Sequence, residues 1–491
     1  MNAAEQSNRR TTRLHTESNP LYRMLPSVHE LLQSSSLAET VARAEHDRLV
    51  KSARRVLERL RDEITQGLHS ESTLKLAINE LPDEIGDENR RGIPHSLRPM
   101  INATGVILHT NLGRAPLSRK AIENISAVAA GYSNLEFDLT RGERGLRDVH
   151  VESHLLALLG EAAGMDLKPT HRAIVVNNCA AATFLALHAL ARGKEILVSR
   201  GELVEIGGGF RIPEILEASG AILREVGTTN RTRISDYEQA VTSETGLILR
   251  VHQSNFSMEG FVERPGLEEL VALGRRAGIS VMEDQGTGLV EPLDLYGIRG
   301  EATLAASLAA GCDASAASGD KLLGGPQCGI LVGKHELMNR IRRDPLYRTF
   351  RVDKLTYAAL EATLIQFLSG DQMNIPILRM LQTPSEEIRR RCQQVVSETR
   401  GEIDAEVTPV ESMIGGGAAP KSRVASYAIA FMHARISAPD LLAALRHLER
   451  PIIGRIEEDR VLLDLRTVEP EFDTFVAESL RQIAGGEPSV R

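Results

Sequence analysis

Short apolar stretches alternate with helical patterns from residue 100 to about residue 370, and this alternation restricts the fold more than any other feature of the chain. Strand candidates rich in Ile and Val include 173–176, 195–199 and 279–283, and a long Ala/Leu helix candidate follows the first of them. Such alternation predicts an α/β fold, in which a mostly parallel sheet carries helices on both faces. These sheets place their functional side chains at the carboxyl ends of the strands.

The length of 491 residues exceeds that of one ordinary core, so several domains are expected. Residues 1–95 have helical apolar spacing and end in a polar, proline-containing stretch, 82–94, that is typical of a linker. Residues 96–370 contain the strand and helix alternation, and residues 371–491 show the candidates of a smaller α/β unit. We therefore predict three domains with these boundaries.

Four basic residues of the amino-terminal region fall at helical spacing and would share one broad face of a helix: Lys51, Arg54, Arg55 and Arg59. One interpretation is a solvated face, because acidic residues are interleaved with them. The other is a surface that contacts phosphates. The net charge of -8 argues against a general nucleic-acid binder, so any contact with an anionic polymer has to come from a local patch.

The four cysteines are scattered, and neither a Cys-x-x-Cys pair nor a His/Cys cluster with metal spacing occurs in the sequence. Few, scattered cysteines are typical of a reducing cytosol. The amino terminus lacks the apolar core of a signal peptide, and no apolar run reaches membrane-spanning length. We therefore expect a cytoplasmic protein without a metal site and without a membrane span.

The strongest local motif is Ser-Gly-Asp-Lys-Leu-Leu-Gly-Gly-Pro at 318–326, which places Lys321 between a strand of small residues and a glycine-rich turn. Glycines allow a flat ring to approach the backbone closely. A lysine held in such a site can lose its proton and form a Schiff base with an aldehyde cofactor. The alternative interpretation is a surface lysine in a turn.

A second polar residue, Asp284, ends the apolar strand 279–283. Its carboxylate can keep the pyridine nitrogen of a pyridoxal cofactor protonated, so that the ring accepts electrons. The alternative is an aspartate that caps a turn, because Gln-Gly-Thr-Gly follows at 285–288. Together with Lys321, Asp284 favours pyridoxal 5'-phosphate as the cofactor.

A third motif, Asn-Asn-Cys-Ala-Ala-Ala-Thr at 177–183, follows a strand and opens the Ala/Leu helix. The free backbone N–H groups of Cys179, Ala180 and Ala181 would form an anion cradle suited to the cofactor phosphate. The hydroxyl of Ser318 could join the same phosphate. Asn is also a common helix cap, so this motif alone is weak.

Longer motifs are spread over nearly the whole chain. Besides the lysine motif they read YRMLPSV at 22–28, INATGV at 101–106, HTNLGRAPLS at 109–118, NLEFD at 134–138, GERG at 142–145, RGELVEIGG at 200–208, HQSNF at 252–256 and YRTFRVDK at 347–354. Together they are far more specific than one glycine-rich loop. With these motifs the chain resembles the bacterial L-seryl-tRNA(Sec) selenium transferases, or selenocysteine synthases.

The resemblance implies a fold-type-I pyridoxal-phosphate enzyme with its Schiff base on Lys321. It implies conversion of seryl-tRNA(Sec) to selenocysteinyl-tRNA(Sec) with selenophosphate, through an aminoacrylyl-tRNA intermediate, for selenoprotein biosynthesis. It further implies a homodecamer, built as a pentamer of dimers with shared active sites, and an amino-terminal domain that helps to grip the tRNA. One departure is Cys328, where we expect alanine more often, and a thiol near a cofactor can be reactive.

Selenophosphate is a compact anion, so its site is expected to carry guanidinium groups. Three arginines of the matched motifs are the candidates: Arg114, Arg348 and Arg351. Arg348 and Arg351 are three positions apart and would share a face if their segment is helical. The alternative is that any of them pairs with an acid such as Asp353.

Two further residues of the matched motifs are candidates for contact with the cofactor. His252 follows a strand and is expected either to contact the cofactor or to be a core histidine with a partner. Glu205 lies where fold-type-I enzymes often place a residue over the ring.

Two rival functions remain open at this point. One is a related pyridoxal-phosphate lyase or transferase that acts on a small amino acid without tRNA, although such an enzyme has no need of a basic amino-terminal unit. The other is a catalytically silent tRNA-binding protein, which the intact Lys321 and Asp284 disfavour.

Overall fold

The protein was analysed as a computed structural model that describes residues 20–33, 46–91, 95–206, 209–253, 255–294, 301–399, 404–420 and 422–484. The chain divides into two compact units, Met1–Arg98 and Pro99–Arg491. Within the described ranges, no helix combines the length and the apolar character that a bilayer crossing requires.

The described part of the amino-terminal unit is helical, with helices α1 (Val28–Leu32), α2 (His46–Thr65) and α3 (Glu71–Arg91). A capping box starts α1, because the backbone N–H of Glu30 donates to Ser27 Oγ at 3.2 Å and that of Ser27 donates to Glu30 Oε2 at 2.7 Å. The apolar side chains of α2 and α3 share one core, which consists of Leu31, Leu49, Ala53, Val56, Leu57, Leu60, Ile64, Leu74, Leu81 and Ile85.

The linker predicted at 82–94 is wrong over most of its length, because α3 continues through Pro82 to Arg91. The reason is the apolar face of the helix. Leu81 and Ile85, which flank the proline, are 1% and 0% exposed in the core shared with α2. Their burial, worth about 1.5–3 kcal/mol for each large side chain, offsets the cost of an interior proline.

The second unit contains a seven-stranded sheet in the order β5-β13-β12-β11-β10-β6-β9. All neighbouring strands are parallel except β13, which runs antiparallel to both β12 and β5. The strands are β5 (His171–Val176), β6 (Glu195–Ser199), β9 (Ile222–Val226), β10 (Thr245–Val251), β11 (Ser280–Gly286), β12 (Ala314–Ser318) and β13 (Gly329–Lys334). This is the mostly parallel sheet that the strand and helix alternation predicts.

Helices cover both faces of this sheet. The helices of this part of the chain are α4 (Arg119–Ala129), α5 (Val149–Ala163), α6 (Cys179–Ala191), α7 (Ile212–Ala218), α8 (Ile234–Ala240), α9 (Leu267–Ala277), α10 (Leu304–Ala309), α11 (His335–Arg343), α12 (Pro345–Phe350) and α13 (Lys354–Leu368). Two short hairpins lie outside the sheet and consist of β3 (Phe137–Asp138) with β4 (Glu143–Arg144), and β7 (Glu205–Ile206) with β8 (Phe210–Arg211).

The alternation of side chains along β5 shows how the two layers are filled. Ile174 and Val176 lie in the core that contains the buried side chains of α6 and α11. Ala173 and Val175 lie in the opposite core, with side chains of α5, α10 and α13. Because all four are at most 1% exposed, this strand is buried on both faces.

A five-stranded sheet, in the order β17-β18-β15-β14-β2, forms the carboxyl-terminal part. Its strands are β2 (Val106–Leu108), β14 (Asp404–Gly415), β15 (Arg423–Met432), β17 (Arg455–Glu457) and β18 (Arg460–Asp464), and a separate parallel pair joins β1 (Ile101–Asn102) to β16 (Ile452–Ile453). The helices of this part are α14 (Pro376–Gln382), α15 (Ser385–Glu398), α16 (Ala438–His447) and α17 (Asp473–Ala484). Residues 101–108 therefore pair with the carboxyl-terminal sheet and not with the large one.

Candidate functional site

The lysine motif lies at the carboxyl edge of the large sheet. Ser318 is the last residue of β12, and Lys321 follows it in a turn closed by the hydrogen bond from Gly324 N to Lys321 O at 2.9 Å. Close packing fixes this turn, since a Cβ on Gly319 would lie 2.5 Å from Cys328 Sγ. Lys321 is only 7% exposed. The structure therefore excludes a surface lysine in a turn.

The amine of Lys321 lies in a buried environment and makes a hydrogen bond to a backbone carbonyl. Its Nζ donates to Gly417 O at 3.3 Å. Burial lowers the pKa of Lys321, and the charge of Arg114 acts in the same direction, against the opposite influence of Cys179 and Asp284. An amine that loses its proton more readily than usual is suited to Schiff-base formation.

Asp284 lies on β11 with its carboxylate fixed against the start of α6. Oδ2 accepts a hydrogen bond from Thr183 Oγ1 at 3.0 Å, and Oδ1 accepts one from Cys179 Sγ at 3.4 Å. Burial raises the pKa of Asp284, whereas the hydrogen bonds from Thr183 and Cys179 and the positive charge of Lys321 oppose that rise. A buried carboxylate with two donors is held in one orientation and retains the capacity to pair with a cation.

The start of α6 carries the N–H groups of the predicted anion cradle. Asn178 caps the helix, because its Oδ1 accepts from the N–H of Ala181 at 2.8 Å. That bond occupies Ala181, so the cradle that remains for an anion consists of the N–H groups of Cys179 and Ala180. Ser318 contributes its hydroxyl beside Cys179, whose pKa it influences.

Thr183 belongs to the motif at 177–183, but the sequence alone does not indicate its contact with Asp284. It lies four positions after Cys179, and the helical repeat places both side chains on the same face of α6. The sequence signal for Thr183 is therefore its hydroxyl, which lies one helical turn after the predicted phosphate cradle.

Arg114 is brought to the lysine motif by an ion pair with a buried aspartate. Its Nη1 lies 2.9 Å from Oδ2 of Asp320, which is 5% exposed. The backbone of Arg114 is left-handed, with φ of 63°, and it is anchored by the hydrogen bond from Arg114 N to His109 O at 3.1 Å. Non-glycine residues rarely adopt this conformation, which indicates that the position of this side chain is fixed by its surroundings.

Arg348 and Arg351 lie at the end of the short helix α12. Arg348 is exposed, and no hydrogen bond or ion pair joins its guanidinium to another residue in the described ranges. Arg351 Nη1 lies 3.4 Å from Glu136 Oε1, and its backbone bridges to Val176 at the end of β5. Its acidic partner is therefore Glu136 and not Asp353, whose Oδ1 instead caps α13 by accepting from Thr356 N at 3.0 Å.

A cleft of about 780 Å³ adjoins Arg351. Glu136 lies within it, 2.7 Å from Arg147 Nε and 3.0 Å from Arg144 Nη2. The hydrogen bond from Arg147 lowers the pKa of Glu136, with further lowering by the charges of Arg144 and Arg351. The cleft therefore gathers three guanidinium groups around Glu136, although other carboxylates, among them Asp138 and Asp148, also line it.

His252 adjoins Asp284 and has an acidic partner that the sequence did not reveal. Its backbone N–H donates to Asp284 O at 3.0 Å, and its Nε2 lies 3.1 Å from Oε2 of Glu301. The structure thus brings His252 to the edge that carries Asp284 and also gives it a partner. No motif marked Glu301, which follows a stretch without apolar periodicity.

Glu205 is not brought to the lysine motif. It lies on the hairpin strand β7 with its side chain 53% exposed, and its Oε2 is 2.6 Å from Arg211 Nε on β8. The position predicted over the cofactor ring is therefore not supported by its contacts. The reason is local: antiparallel pairing of β7 with β8 places the arginine directly opposite the glutamate.

Cys328 is fully buried behind the lysine turn. Burial raises the pKa of its thiol, and the negative charge of Asp320 raises it further. A thiol that resists ionisation is a poor nucleophile. Across the described residues, no group of three or more His, Cys, Asp or Glu side chains could hold a metal ion.

The side chains at this edge fit pyridoxal phosphate: a buried amine, a buried carboxylate and the N–H groups of a helix start correspond to its aldehyde, ring nitrogen and phosphate. The fold is similar to that of D-glucosaminate-6-phosphate ammonia-lyase, which aligns with a TM-score of 0.55 at 19% identity, over 80% of this chain and 99% of that one. The predicted fold class, an α/β fold with a mostly parallel sheet and helices on both faces, is confirmed.

Comparison of the sequence with known proteins gives a closer relationship. A family profile described as L-seryl-tRNA selenium transferase matches residues 100–469. The L-seryl-tRNA(Sec) selenium transferase of Geobacter sulfurreducens is 43% identical over 94% of this chain and 99% of its own length. The protein of the same name from Carboxydothermus hydrogenoformans is 44% identical over 92% of this chain and 96% of its own. This chain therefore belongs to the L-seryl-tRNA selenium transferase family.

Proposed function

We propose that this protein converts L-seryl-tRNA(Sec) to L-selenocysteinyl-tRNA(Sec), with selenophosphate as the selenium donor and pyridoxal phosphate as the cofactor. The observation that carries the proposal is the buried Lys321 amine, which lies at one sheet edge with the fixed carboxylate of Asp284. Family membership supplies the substrates, since the relatives that match nearly the whole chain carry this activity in their names.

The residues at the sheet edge would each bind a different group of the cofactor. Lys321 would hold the aldehyde carbon, Asp284 the ring nitrogen, and the N–H groups of Cys179 and Ala180 with the hydroxyl of Ser318 the phosphate. When bound, pyridoxal phosphate supplies an electron sink for the carbon that loses its proton. Thr183 and Cys179 keep Asp284 in place for this purpose, because their hydrogen bonds fix both carboxylate oxygens.

Lys321 is the base that we propose for the Cα proton of the seryl group. Its amine would lie next to that carbon, so no other base need approach it. Its burial and the nearby charge of Arg114 favour the neutral amine, which is the form that accepts a proton.

Selenophosphate would be held by the guanidinium groups of Arg114, Arg348 and Arg351. Arg348 is exposed, and Arg351 Nε is buried without a hydrogen-bond partner in the described part of the chain. Donors of this kind are available to an incoming anion, and arginine offers two parallel contacts to a phosphate group.

The amino-terminal domain, residues 1–95, would contact the tRNA. Of its four basic residues at helical spacing, Arg55 and Arg59 pair with Glu88 at 2.7 Å and Glu84 at 2.5 Å. Lys51 and Arg54 are exposed and make no ion pair with another described residue. These two side chains are therefore the ones that can neutralise phosphates without breaking an existing pair.

We further propose a cytoplasmic homodecamer, a pentamer of dimers. Contact between copies is supported by large apolar side chains that are exposed close together in the sequence: Tyr132, Phe137, Leu139, Leu146 and Val149. Exposed apolar patches of this kind commonly mark surfaces that another protein covers.

The rival without tRNA is disfavoured, because the relatives match over almost the whole chain and carry the tRNA substrate in their names. The silent tRNA-binding rival is disfavoured by the buried Lys321 and the fixed Asp284.

The test is an assay in vitro that contains the purified protein, seryl-tRNA(Sec) and selenophosphate, and that measures selenium attached to the tRNA. We expect selenium on tRNA(Sec), and none when seryl-tRNA(Ser) replaces it. Turnover of a small free amino acid with no selenium on any tRNA would overturn the proposal in favour of the first rival.

A further inference from the structure

A buried histidine and glutamate pair lies beside Asp284, and the proposed function does not yet use it. His252 directly follows β10, and its Nε2 lies 3.1 Å from Glu301 Oε2. The two side chains are only 15% and 6% exposed. Burial of an acid and a base together, at the edge of a site, requires a compensating interaction.

The strand that carries Asp284 also fixes the position of Glu301. Gln285, the next residue on β11, donates from Nε2 to Ala302 O at 2.6 Å. Leu304 N donates to Leu289 O at 2.9 Å, so the residues directly after Glu301 are anchored to residues that follow Asp284. His252 is tied to the same strand by its hydrogen bond to Asp284 O at 3.0 Å. Both members of the pair are therefore tied to the part of the chain that carries Asp284.

The pair is incomplete within the described chain. His252 Nδ1 is buried and has no hydrogen-bond partner there. Glu301 Oε2 lies 3.1 Å from His252 Nε2 and has no aligned hydrogen bond within the described residues. Buried polar atoms in proteins nearly always have partners. A ligand atom is a suitable partner for Nδ1.

Several acidic side chains lie near His252. The acidic groups near it are Glu301, and Asp284 and Glu283 on β11. Glu283 is engaged by the hydroxyl of Ser307. A carboxylate close to Nε2 favours a proton on that nitrogen, which leaves Nδ1 for a second partner.

Pyridoxal phosphate has four polar groups, and the proposed function assigns three of them. The aldehyde goes to Lys321, the ring nitrogen to Asp284 and the phosphate to the start of α6. The phenolic oxygen has no partner in that assignment. We infer that Glu301 orients His252 so that Nδ1 forms a hydrogen bond with the phenolic oxygen of the cofactor ring. His252 is then a cofactor-binding residue, and Glu301 acts through it as a positioning residue.

This inference rests on the proposed function and has its own spectroscopic consequence. The phenolic oxygen lies beside the Schiff base, so its hydrogen bond influences the absorbance of the Schiff base and the pH at which that group loses its proton. Removal of the negative charge of Glu301 disfavours the cationic form. We therefore expect E301Q to move the titration midpoint to lower pH.

The experiment is a pH titration of the holoenzyme absorbance, together with measurement of cofactor affinity by equilibrium dialysis. We expect H252A to weaken cofactor affinity about tenfold, as loss of one hydrogen bond to a charged group would. We expect E301Q to lower the midpoint by about half a pH unit or more. The matched control is E63Q, which alters a glutamate paired with a histidine at 3.0 Å in the amino-terminal unit and should change neither quantity.

A merely structural pair gives a different result. In that case E301Q and H252A would lower the temperature of thermal unfolding but leave the midpoint and the affinity unchanged, and the inference would be overturned. If E301Q does not fold, E301D preserves the charge and is expected to retain the wild-type midpoint, so a shifted midpoint there also overturns it. A wild-type protein without any Schiff-base band would overturn the proposed function as well.

Discussion

Lys321 is the residue on which the proposed chemistry depends most directly. K321A removes both the Schiff base and the proposed base, so we expect loss of the absorbance band and a decrease in turnover of roughly 10²-fold to 10⁴-fold or more. Because the substitution removes a buried amine and leaves the small-residue turn in place, the fold should be retained. The measurements are absorbance before and after borohydride, mass of the reduced adduct, and circular dichroism.

Retained turnover in K321A would contradict the assignment of the Schiff base. K334A serves as the control, because Lys334 lies on the neighbouring strand β13, is paired with Asp313 at 2.5 Å and is half exposed. This variant should keep the absorbance band and the activity of the wild type.

Thr183 is a second residue for which the direction of an effect, on the pKa of Asp284, can be predicted. Its hydrogen bond lowers the pKa of Asp284, against the dominant raising effect of burial. T183V therefore raises that pKa further, and the carboxylate becomes protonated at higher pH. We expect the acid limb of the profile of kcat/KM against pH to move upward by about one pH unit.

The control for T183V is T363V, which removes an equally buried hydroxyl that donates only to the backbone carbonyl of Ala359 at 2.9 Å. Its acid limb should match that of the wild type. An unshifted limb in T183V would show that Asp284 does not titrate in that limb.

Among single residues, the sequence predicts site residues at the ends of strands. It does not predict site residues that reach the site from distant parts of the chain. Lys321 and Asp284 could be predicted because each follows a recognisable strand whose edge position the fold class determines. Glu205 lies in an equally recognisable motif, but its ion pair is with Arg211 on the neighbouring hairpin strand, which the motif does not indicate. Glu301 lies beside His252 although the two are far apart in the sequence, and no local pattern encodes the hydrogen bond from Gln285 that anchors the residue after Glu301.

Among the elements, the contact between β13 and the start of α6 shapes the phosphate cradle. A Cβ on Gly329 would lie 2.1 Å from Asn178 O and 2.9 Å from Cys179 N. G329A therefore displaces the first turn of α6, and we expect cofactor affinity to fall at least about tenfold, because a change of about 1.4 kcal/mol is tenfold. The measurement is equilibrium dialysis with pyridoxal phosphate.

A glycine in open space provides the control for G329A. Gly131 has no neighbouring atom within 4 Å of its added Cβ, so G131A should leave affinity unchanged. Equal affinity in G329A and the wild type would indicate that the cofactor phosphate binds elsewhere.

The succession of elements could be predicted from the sequence, but their partners in the sheets could not. Alternating apolar runs and helical stretches predict the parallel strands β5, β6, β10 and β11. No such signal predicts that β13 lies antiparallel between β5 and β12. The reason is that the apolar sequence of a buried strand does not reveal the direction in which the strand runs. Likewise, residues 101–108 precede the large sheet in sequence but pair with strands more than 300 positions later.

The molecule as a whole is acidic, with a net charge of -8, although its proposed substrate is a polyanion. Attraction to tRNA therefore has to be local. The compact unit Met1–Arg98 carries the exposed Lys51 and Arg54, whereas the cofactor residues all lie in Pro99–Arg491. The two properties, tRNA affinity and cofactor binding, are expected to be separable.

Deletion of residues 1–98 tests that separation directly. The remaining unit keeps its own sheets and cores, so we expect normal loading with pyridoxal phosphate and an intact Schiff-base band. Affinity for tRNA(Sec) should fall, because the exposed basic residues are lost. The double variant K51E/R54E makes the same test within the full chain, and each lost phosphate contact should lower the slope of log affinity against log salt by about 1.

The matched control for K51E/R54E alters basic residues of the same helix that already form ion pairs. Arg55 and Arg59 are engaged by Glu88 and Glu84, so R55Q/R59Q removes basic groups that are not free to meet phosphates. This variant should bind tRNA(Sec) with nearly wild-type affinity and an unchanged salt slope. If the paired arginines prove to matter more than Lys51 and Arg54, or if the deletion leaves affinity unchanged, the tRNA must be gripped by another surface, and the basic residues of α2 form only a solvated face.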